Sequence, residues 1–177
     1  MGYHTDFAGS FELDQPLTAA QVAYLQAFNR TRRMQRDTVV AATFPDPVRK
    51  AVGLPIGVAG GYYVGNTKNC GQEEDASIKN YNDPPPGQPG LWCQWVPTDD
   101  GHSIVWDEGE KFYDYVEWLQ YIVDHFLKSW GRSITGEMRW EGEETGDLGT
   151  IYVKENKIEA VADNISNSGP SWDRKTR

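Results

Sequence analysis

Residues 112–140 read FYDYVEWLQYIVDHFLKSWGRSITGEMRW, and the spacing of their apolar residues changes partway along. From Phe112 to Leu127 the apolar residues recur at helical spacing, and Trp130 continues the same face. Gly131 is the residue type expected at a left-handed helix cap. Beyond it, apolar and polar residues alternate as in a half-buried strand. The stretch therefore predicts a long amphipathic helix that leads directly into a strand. Asp107 and Glu110, just before the stretch, are expected to cap the start of the helix.

Three strands are expected to finish the domain, over Ile134–Trp140, Leu148–Glu155 and Lys157–Asp163. Upstream of the helix, Leu91–Val96 and Ser103–Trp106 suit a hairpin, because the Asp-Gly pair between them is a strong turn signal.

The N-terminal part predicts one strand and one helix. The strand is Ser10–Asp14, and the helix begins at Thr18, where Gln21 completes a capping box. Its predicted C-terminal end carries a run of cations, whose charge suits the last carbonyls of a helix: Arg30, Arg32, Arg33 and Arg36. Strands grouped around two principal helices predict the α+β class, an antiparallel sheet with both helices packed on one face.

Residues 37–90 form a long Gly- and Pro-rich region without clear periodicity. Val39–Phe44 resembles a strand that Pro45 ends, and five glycines lie in Gly53–Gly65. Two interpretations stand for this region. It is a lid or binding loop, or it contains short strands that the pattern does not reveal.

A chain of 177 residues predicts one domain, over residues 1–165, followed by a flexible tail over 166–177. With 17 basic and 26 acidic side chains the net charge is −9, which disfavours direct binding to nucleic acids and anionic membranes. Neither a secretory signal nor a membrane-spanning segment is recognised. With only Cys70 and Cys93, we expect a reduced protein of the bacterial cytoplasm, the alternative being a disulfide.

The basic run is the first candidate binding feature. Arg30, Arg32 and Arg33 suit bidentate capture of phosphate or carboxylate, and the glycines of Gly57–Gly65 can offer backbone N–H groups to the same anion. That loop lacks the Lys-Ser/Thr of a nucleotide-hydrolysing loop. The alternative is that these arginines pair with the many carboxylates of the chain.

Aromatic residues near that loop are the second candidate feature. Tyr62, Tyr63, Trp92 and Trp95 can stack on a ring, with Gln94 beside them as a polar contact. In a strand over Leu91–Val96, Cys93 and Trp95 share one face while Trp92 and Gln94 share the other. The alternative is that these tryptophans pack under the second helix or the Gly-rich loop.

No catalytic or metal-ligating arrangement is predicted, and no cofactor. His4, His102 and His125 are scattered along the chain. The acidic run Glu141–Asp147 lacks the regular spacing of a calcium loop and is interpreted as a solvated turn or a docking face for a basic partner.

Several segments resemble a family of uncharacterised bacterial and bacteriophage proteins. The resemblance covers Phe11–Leu17, Thr31–Met34, PPGQPGLWCQW at 85–95, EKFYDYVEWL at 110–119 and MRWEGEE at 138–144. It implies a prokaryotic or phage origin and a cytosolic location, and transfers no activity and no catalytic residue.

These observations lead to three hypotheses. The first is a non-enzymatic binding protein, a phage or prophage accessory that sequesters a small anionic, nucleotide-type ligand to counter host defence signalling. The second is an acidic module that docks onto a host protein and inhibits it. The third is an enzyme acting on a nucleotide or ADP-ribose-like substrate. None of them specifies an oligomeric state.

Overall fold

The computed structural model describes residues 2–65, 74–163 and 169–173. Its strands, in chain order, are β1 (Thr5–Leu13), β2 (Gln35–Arg36), β3 (Ile78–Asn80), β4 (Trp95–Pro97), β5 (Ser103–Trp106), β6 (Ile134–Gly142), β7 (Leu148–Lys154) and β8 (Lys157–Ala162). Its helices are α1 (Ala19–Arg30), α2 (Thr38–Ala41), α3 (Pro47–Ala51) and α4 (Tyr115–Ile122). A π-helical turn, Val123–Leu127, continues α4, and short 3-10 turns lie at Val58–Gly60 and Ser171–Asp173.

Six strands form one antiparallel sheet in the order β4-β5-β1-β6-β7-β8, while β2 and β3 form a separate two-stranded ribbon. The predicted α+β class is confirmed. Within β1, Phe7 and Phe11 are buried and Asp6 and Glu12 are exposed, because side chains alternate between the two faces of a strand. The sheet therefore has one apolar face, which packs under the helices, and one polar face.

Aromatic rings fill the layer between the sheet and the helices. Phe7 lies edge-on to four rings, those of Trp95, Trp106, Phe112 and Tyr115, with centroids 4.8 to 5.9 Å away. Edge-to-face contacts of this kind stabilise the folded protein beyond the contribution of burying the rings. This interior is the reason that so many tryptophans and tyrosines occur in a chain of this size.

The strands β6, β7 and β8 confirm the predicted meander, with differences of two residues or fewer at their ends. β1 is longer than expected and begins at Thr5, since all nine of its residues pair with β6. Gly9 lies at φ +132, where a Cβ would collide with the Glu137 carbonyl of the neighbouring strand. Close approach of two backbones therefore requires glycine at this position.

Both principal helices are present, but their ends differ from the prediction. The capping box of Thr18 and Gln21 is confirmed, whereas α1 ends at Arg30, so that Arg32, Arg33 and Arg36 lie beyond it. Thr31 closes α1, and its hydroxyl donates to the Ala27 carbonyl.

The predicted start of the long helix at Asp107 is wrong. α4 begins after Asp114, which adopts left-handed φ/ψ, and the Asp107 carboxylate instead accepts from the Gly109 N–H and from Asn29. Gly131 at φ +66 confirms the expected left-handed cap.

The region 37–90 holds short elements that the pattern did not reveal. Val39–Phe44 is not a strand: Asp37 caps α2, its carboxylate accepting from the N–H groups of Val39 and Val40. The expected strand over Leu91–Val96 is limited to Trp95–Pro97. Burial still alternates as predicted, with Cys93 and Trp95 buried and Trp92 and Gln94 partly exposed.

Two predictions fall largely outside the described residues. Cys70 lies there, as do 166–168 and 174–177 of the expected tail. Within the described part of that tail, the backbone N–H of Ser171 donates to the Glu159 carboxylate over 2.8 Å, and Lys157 lies over the ring of Trp172. None of the described helices is long and apolar enough to cross a bilayer.

Candidate functional site

Arg33 lies in the interior, just beyond the C-terminal end of α1. Its backbone N–H donates to the Leu91 carbonyl over 2.8 Å, which fixes the main chain against the segment leading into β4. Its side chain is only 2% exposed, and the guanidinium carbon lies 4.1 Å from the centre of the Phe28 ring. A full positive charge is therefore held in an apolar setting, where the ring face offers partial compensation.

The hydrogen bonds of Arg33 leave part of its guanidinium unused. Nη2 donates to the Gly61 carbonyl over 2.9 Å and Nε donates to Gln88 Oε1 over 3.3 Å, while Nη1 has no acceptor. Among the described residues no carboxylate forms an ion pair with it. Burial lowers the pKa of Arg33 to about 10, so the group remains charged at neutral pH. Buried charges in proteins are normally paired.

Gln88 and Tyr121 complete the polar wall beside Arg33. Gln88 Nε2 donates to the Gly61 carbonyl over 2.6 Å and to the Tyr121 hydroxyl over 3.0 Å. Its Oε1 accepts from Arg33, so both ends of this buried amide are engaged. The Tyr121 ring stacks on Phe28 at 6.1 Å, and burial raises the pKa of its hydroxyl to about 12. Tyr121 is therefore a neutral hydroxyl at physiological pH.

Trp118 supplies a second buried donor without an acceptor. The residue is fully buried, its ring lies edge-on to Phe28 at 6.0 Å, and its indole N–H makes no hydrogen bond. A Cβ built on Gly90 would lie 3.6 Å from that nitrogen, so the turn after Gln88 passes directly beside it. Two unsatisfied donors, one of them charged, thus flank a single ring.

We call this set the Arg33 cluster: Phe28, Arg33, Gly61, Gln88, Trp118 and Tyr121. In the described residues only one other buried side-chain atom lacks a partner, Nδ1 of His4, which lies on β1's N-terminal side against Trp106. Buried donors almost always find a partner in folded proteins, and each orphan costs about 1–3 kcal/mol. Two such donors on residues that contact the same Phe28 ring are the pattern expected where a bound group supplies acceptors.

Tyr62 and His125 lie at the outer edge of the cluster. The Tyr62 hydroxyl and His125 Nδ1 are 2.7 Å apart, and the His125 ring stacks on Tyr121 at 3.9 Å. The Tyr62 carbonyl accepts from the buried Tyr24 hydroxyl over 2.9 Å. Partial burial lowers the pKa of His125, against the opposing charge of Asp124. These contacts hold the Gly57–Gly65 loop against the helix that carries Trp118 and Tyr121.

The Gly-rich loop contacts Arg33, but it does so through a carbonyl acceptor and not through N–H donors. It presents the Gly61 carbonyl to Arg33, whereas the N–H groups of Gly61, Tyr62 and Tyr63 donate within the loop to Val58, Ile56 and Gly60. The prediction that this loop offers N–H groups to an anion is therefore wrong for these three groups.

The remaining predicted site residues are dispersed. Arg30 is exposed at the end of α1, and Arg32 lies over the Tyr81 ring and donates to the Tyr81 carbonyl over 3.0 Å. Tyr63 is buried beneath Arg36, the one arginine of the run that pairs with a described carboxylate, that of Asp75 at 2.9 Å.

Two predicted site residues, Trp95 in β4 and Gln94 just before it, contact the sheet and its neighbouring loops rather than the Arg33 cluster. Trp95 is buried in the aromatic layer and its indole N–H donates to the Tyr115 carbonyl over 2.7 Å. Gln94 accepts from the Trp106 indole over 3.1 Å and donates to the Glu110 carbonyl over 2.7 Å, while Trp92 is half-buried. Of the eight predicted residues, the structure brings Arg33 and Tyr62 together around one cluster.

Two surface concavities lie elsewhere. A groove of about 430 Å³ is lined by Gln35, Arg36, Asp37, Thr38, Val39, Ala59 and Lys79, and a smaller one of about 140 Å³ lies beside β1 and β6. Arg36, whose guanidinium lines the groove, is already paired with Asp75. Among the described residues, no set of three or more His, Cys, Asp and Glu side chains is placed to hold a metal ion.

Gln88, Trp118 and Tyr121 were missed as site residues. Trp118 and Tyr121 follow the apolar period of the helix, so their spacing indicates only core positions. Gln88 is only weakly indicated by the sequence, as a polar residue between Gly87 and Pro89 in a turn that leads into aromatic residues.

Comparison of the chain with protein-family models, with curated proteins and with solved structures finds no match.

Proposed function

We propose that the protein is a non-enzymatic binding protein that holds a small anionic ligand at the Arg33 cluster. The observation that carries the proposal is the buried Arg33 guanidinium, whose Nη1 has no acceptor and which has no carboxylate partner among the described residues. A buried cation of this kind lowers the stability of the empty protein and gains a partner when an anion binds. Trp118 supplies a second, neutral donor beside it.

A row of aromatic rings that runs from the Arg33 cluster to the surface favours a ligand that carries a ring. Phe28, Tyr121 and His125 form a continuous stack, and Tyr62 lies edge-on to His125 at 5.9 Å. Phe28 and Tyr121 are buried and contact other protein groups, whereas His125, the outer ring of this row, is exposed and can stack on a planar group. This is the basis for proposing a nucleotide-type ligand, and the resemblance to bacteriophage proteins is the basis for proposing that its sequestration counters a host defence signal.

The cluster has the composition of a binding site rather than of a catalytic one. Its hydroxyl, Tyr121, is neutral at physiological pH because its pKa is raised to about 12, and its buried cation is paired with no general base among the described residues. An enzyme acting on the same ligand remains the alternative from a different class, and the two differ in whether the ligand leaves unchanged.

The experiment is capture of the ligand from extract of bacterial cells. The purified protein is incubated with the extract, washed and heated, and the released small molecules are identified by mass spectrometry. We expect one unmodified anion in near-stoichiometric amount from the native protein. Arg33→Met and Trp118→Phe should release much less, while Arg139→Gln, on the opposite face of the sheet, should release as much as the native protein.

Each outcome has a distinct meaning. Release of a chemically altered ligand would support the enzyme. Equal release from Arg33→Met and the native protein would place the ligand elsewhere and overturn the proposal. Circular dichroism of each variant separates loss of binding from loss of fold, and two variants of different chemistry keep the test open if one does not fold.

One observation favours the second hypothesis, an acidic module that inhibits a host protein. The polar face of the sheet exposes four carboxylates on two adjacent strands, those of Asp6, Glu12, Glu137 and Glu141. Exposed charge binds a basic partner in a strongly salt-dependent way. If the extract yields no small molecule but a protein that is retained at low salt and lost at high salt, this second function is favoured.

A further inference from the structure

The positive charge at the Arg33 cluster comes from one side chain among the described residues. Among the described residues Arg33 is the only cation whose guanidinium enters the cluster, because Arg32 binds the Tyr81 carbonyl and Arg36 binds Asp75. Arg30 is exposed at the end of α1. The other donor without a partner, the Trp118 indole N–H, is neutral.

A buried site favours a ligand group that brings its total charge to zero. Arg33 and a singly charged anion form a neutral buried pair, whereas a doubly charged anion leaves one uncompensated negative charge in a medium of low dielectric. The surroundings add to this preference, since the chain carries a net charge of −9 that repels a dianion more strongly than a monoanion.

We infer that the Arg33 cluster selects a singly charged oxyanion, a phosphodiester or a carboxylate, over a doubly charged phosphate monoester. This inference rests on the proposed function and specifies the chemical class of its ligand. Both favoured groups present an oxygen atom to Nη1 of Arg33, the buried charged donor that lacks an acceptor. The indole N–H of Trp118, whose ring contacts the same Phe28 ring, is the neutral buried donor without an acceptor. A nucleotide satisfies the inference through a phosphodiester and not through a terminal phosphate.

The test compares two probes of similar size and different charge. At pH about 8 dimethyl phosphate carries one negative charge, whereas methyl phosphate, with a second pKa of about 6, carries two. Each is titrated at constant ionic strength into the full chain, and the indole N–H resonance of Trp118, assigned with Trp118→Phe, is followed by NMR. We expect dimethyl phosphate to bind about tenfold or more tightly than methyl phosphate. Acetate is titrated in the same way, and the tighter of acetate and dimethyl phosphate identifies a carboxylate or a phosphodiester source.

Failure of the inference and failure of the proposed function give different results. If methyl phosphate binds as tightly as dimethyl phosphate, or more tightly, the charge inference is overturned and the binding site stands. If none of the three anions shifts the Trp118 resonance, the proposed function itself is contradicted.

Gln88→Glu provides a matched variant on the protein side. The substitution preserves shape, places a carboxylate where Gln88 Oε1 now accepts from Arg33 Nε at 3.3 Å, and removes the Nε2 donor to the Gly61 carbonyl. The internal carboxylate then neutralises Arg33, and we expect the variant, once circular dichroism shows that it is folded, to lose affinity for dimethyl phosphate by about tenfold or more. Binding of dimethyl phosphate at native affinity by folded Gln88→Glu would contradict the inference.

Discussion

Arg33 and Cys93 are both fully buried, and burial shifts the pKa of each side chain towards its neutral form. The consequences differ because the two groups start from opposite sides of neutral pH. Arg33, with a pKa of about 10, keeps its charge and needs a partner. Cys93, with a pKa raised to about 12, is an uncharged thiol whose Sγ lies 3.8 Å from the Trp95 carbonyl oxygen.

The Cys93 thiol is predicted to be unreactive in the folded protein. The thiolate is the nucleophile, and a pKa of about 12 leaves almost none of it at pH about 8. We expect iodoacetamide to leave the Cys93 peptide unmodified in native buffer and to alkylate it fully in denaturant, both read by peptide mass spectrometry. Rapid alkylation of that peptide in native buffer would mean that the segment before β4 is open to solvent.

The length of a helix or strand decides whether the sequence pattern predicts it. The α4 region and the β6–β8 meander repeat one period over many residues, and the pattern predicts them well. β2 and β3 have two and three residues, too few for any period, and they form through contacts distant in the chain, such as the Asp37 N–H donating to the Ser77 carbonyl over 2.6 Å. The helix ends were misplaced for a related reason, because Asp107 has the residue type of a cap but its carboxylate binds Gly109 and Asn29.

The π-helical turn after α4 carries the titratable group that faces the Gly-rich loop. The backbone N–H of Lys128 donates to the Val123 carbonyl over 3.0 Å, five residues back, and π turns of this kind are frequent at functional sites. Within this turn His125 stacks on Tyr121 and meets the Tyr62 hydroxyl. The junction between loop and helix therefore includes a titratable imidazole.

The pH dependence of stability should carry a contribution from His125. Partial burial lowers its pKa in the folded protein, so below the ordinary value of about 6.5 the unfolded chain binds the proton more readily. The resulting stabilisation is present above that value and is lost as the pH falls through the folded-state pKa. Urea unfolding at pH about 7.5 and about 5 should show a smaller loss of unfolding free energy for His125→Gln than for the native protein. Equal losses in the two proteins would assign the pH dependence to other groups.

The two faces of the six-stranded sheet differ in polarity across the whole molecule. The polar face exposes carboxylates, while the helical face holds the aromatic interior and the Arg33 cluster. The α+β class follows from the order of periodic segments. The cluster does not, because Phe28, Gly61, Gln88 and Trp118 meet only after the chain has folded. The basic run indicates that arginines matter here, yet nothing in the run distinguishes buried Arg33 from exposed Arg30, because that difference depends on where α1 ends.

Crystallography of the protein in bromide, with anomalous scattering used to locate the ions, tests directly whether the buried cation of Arg33 binds an anion. Bromide is a singly charged probe that needs no knowledge of the natural ligand. We predict an anomalous peak in hydrogen-bonding contact with Nη1 of Arg33, absent from crystals of Arg33→Met. A map with no peak there, and with Nη1 bonded to a carboxylate of the chain, would show that Arg33 is paired within the protein and would overturn the proposed site.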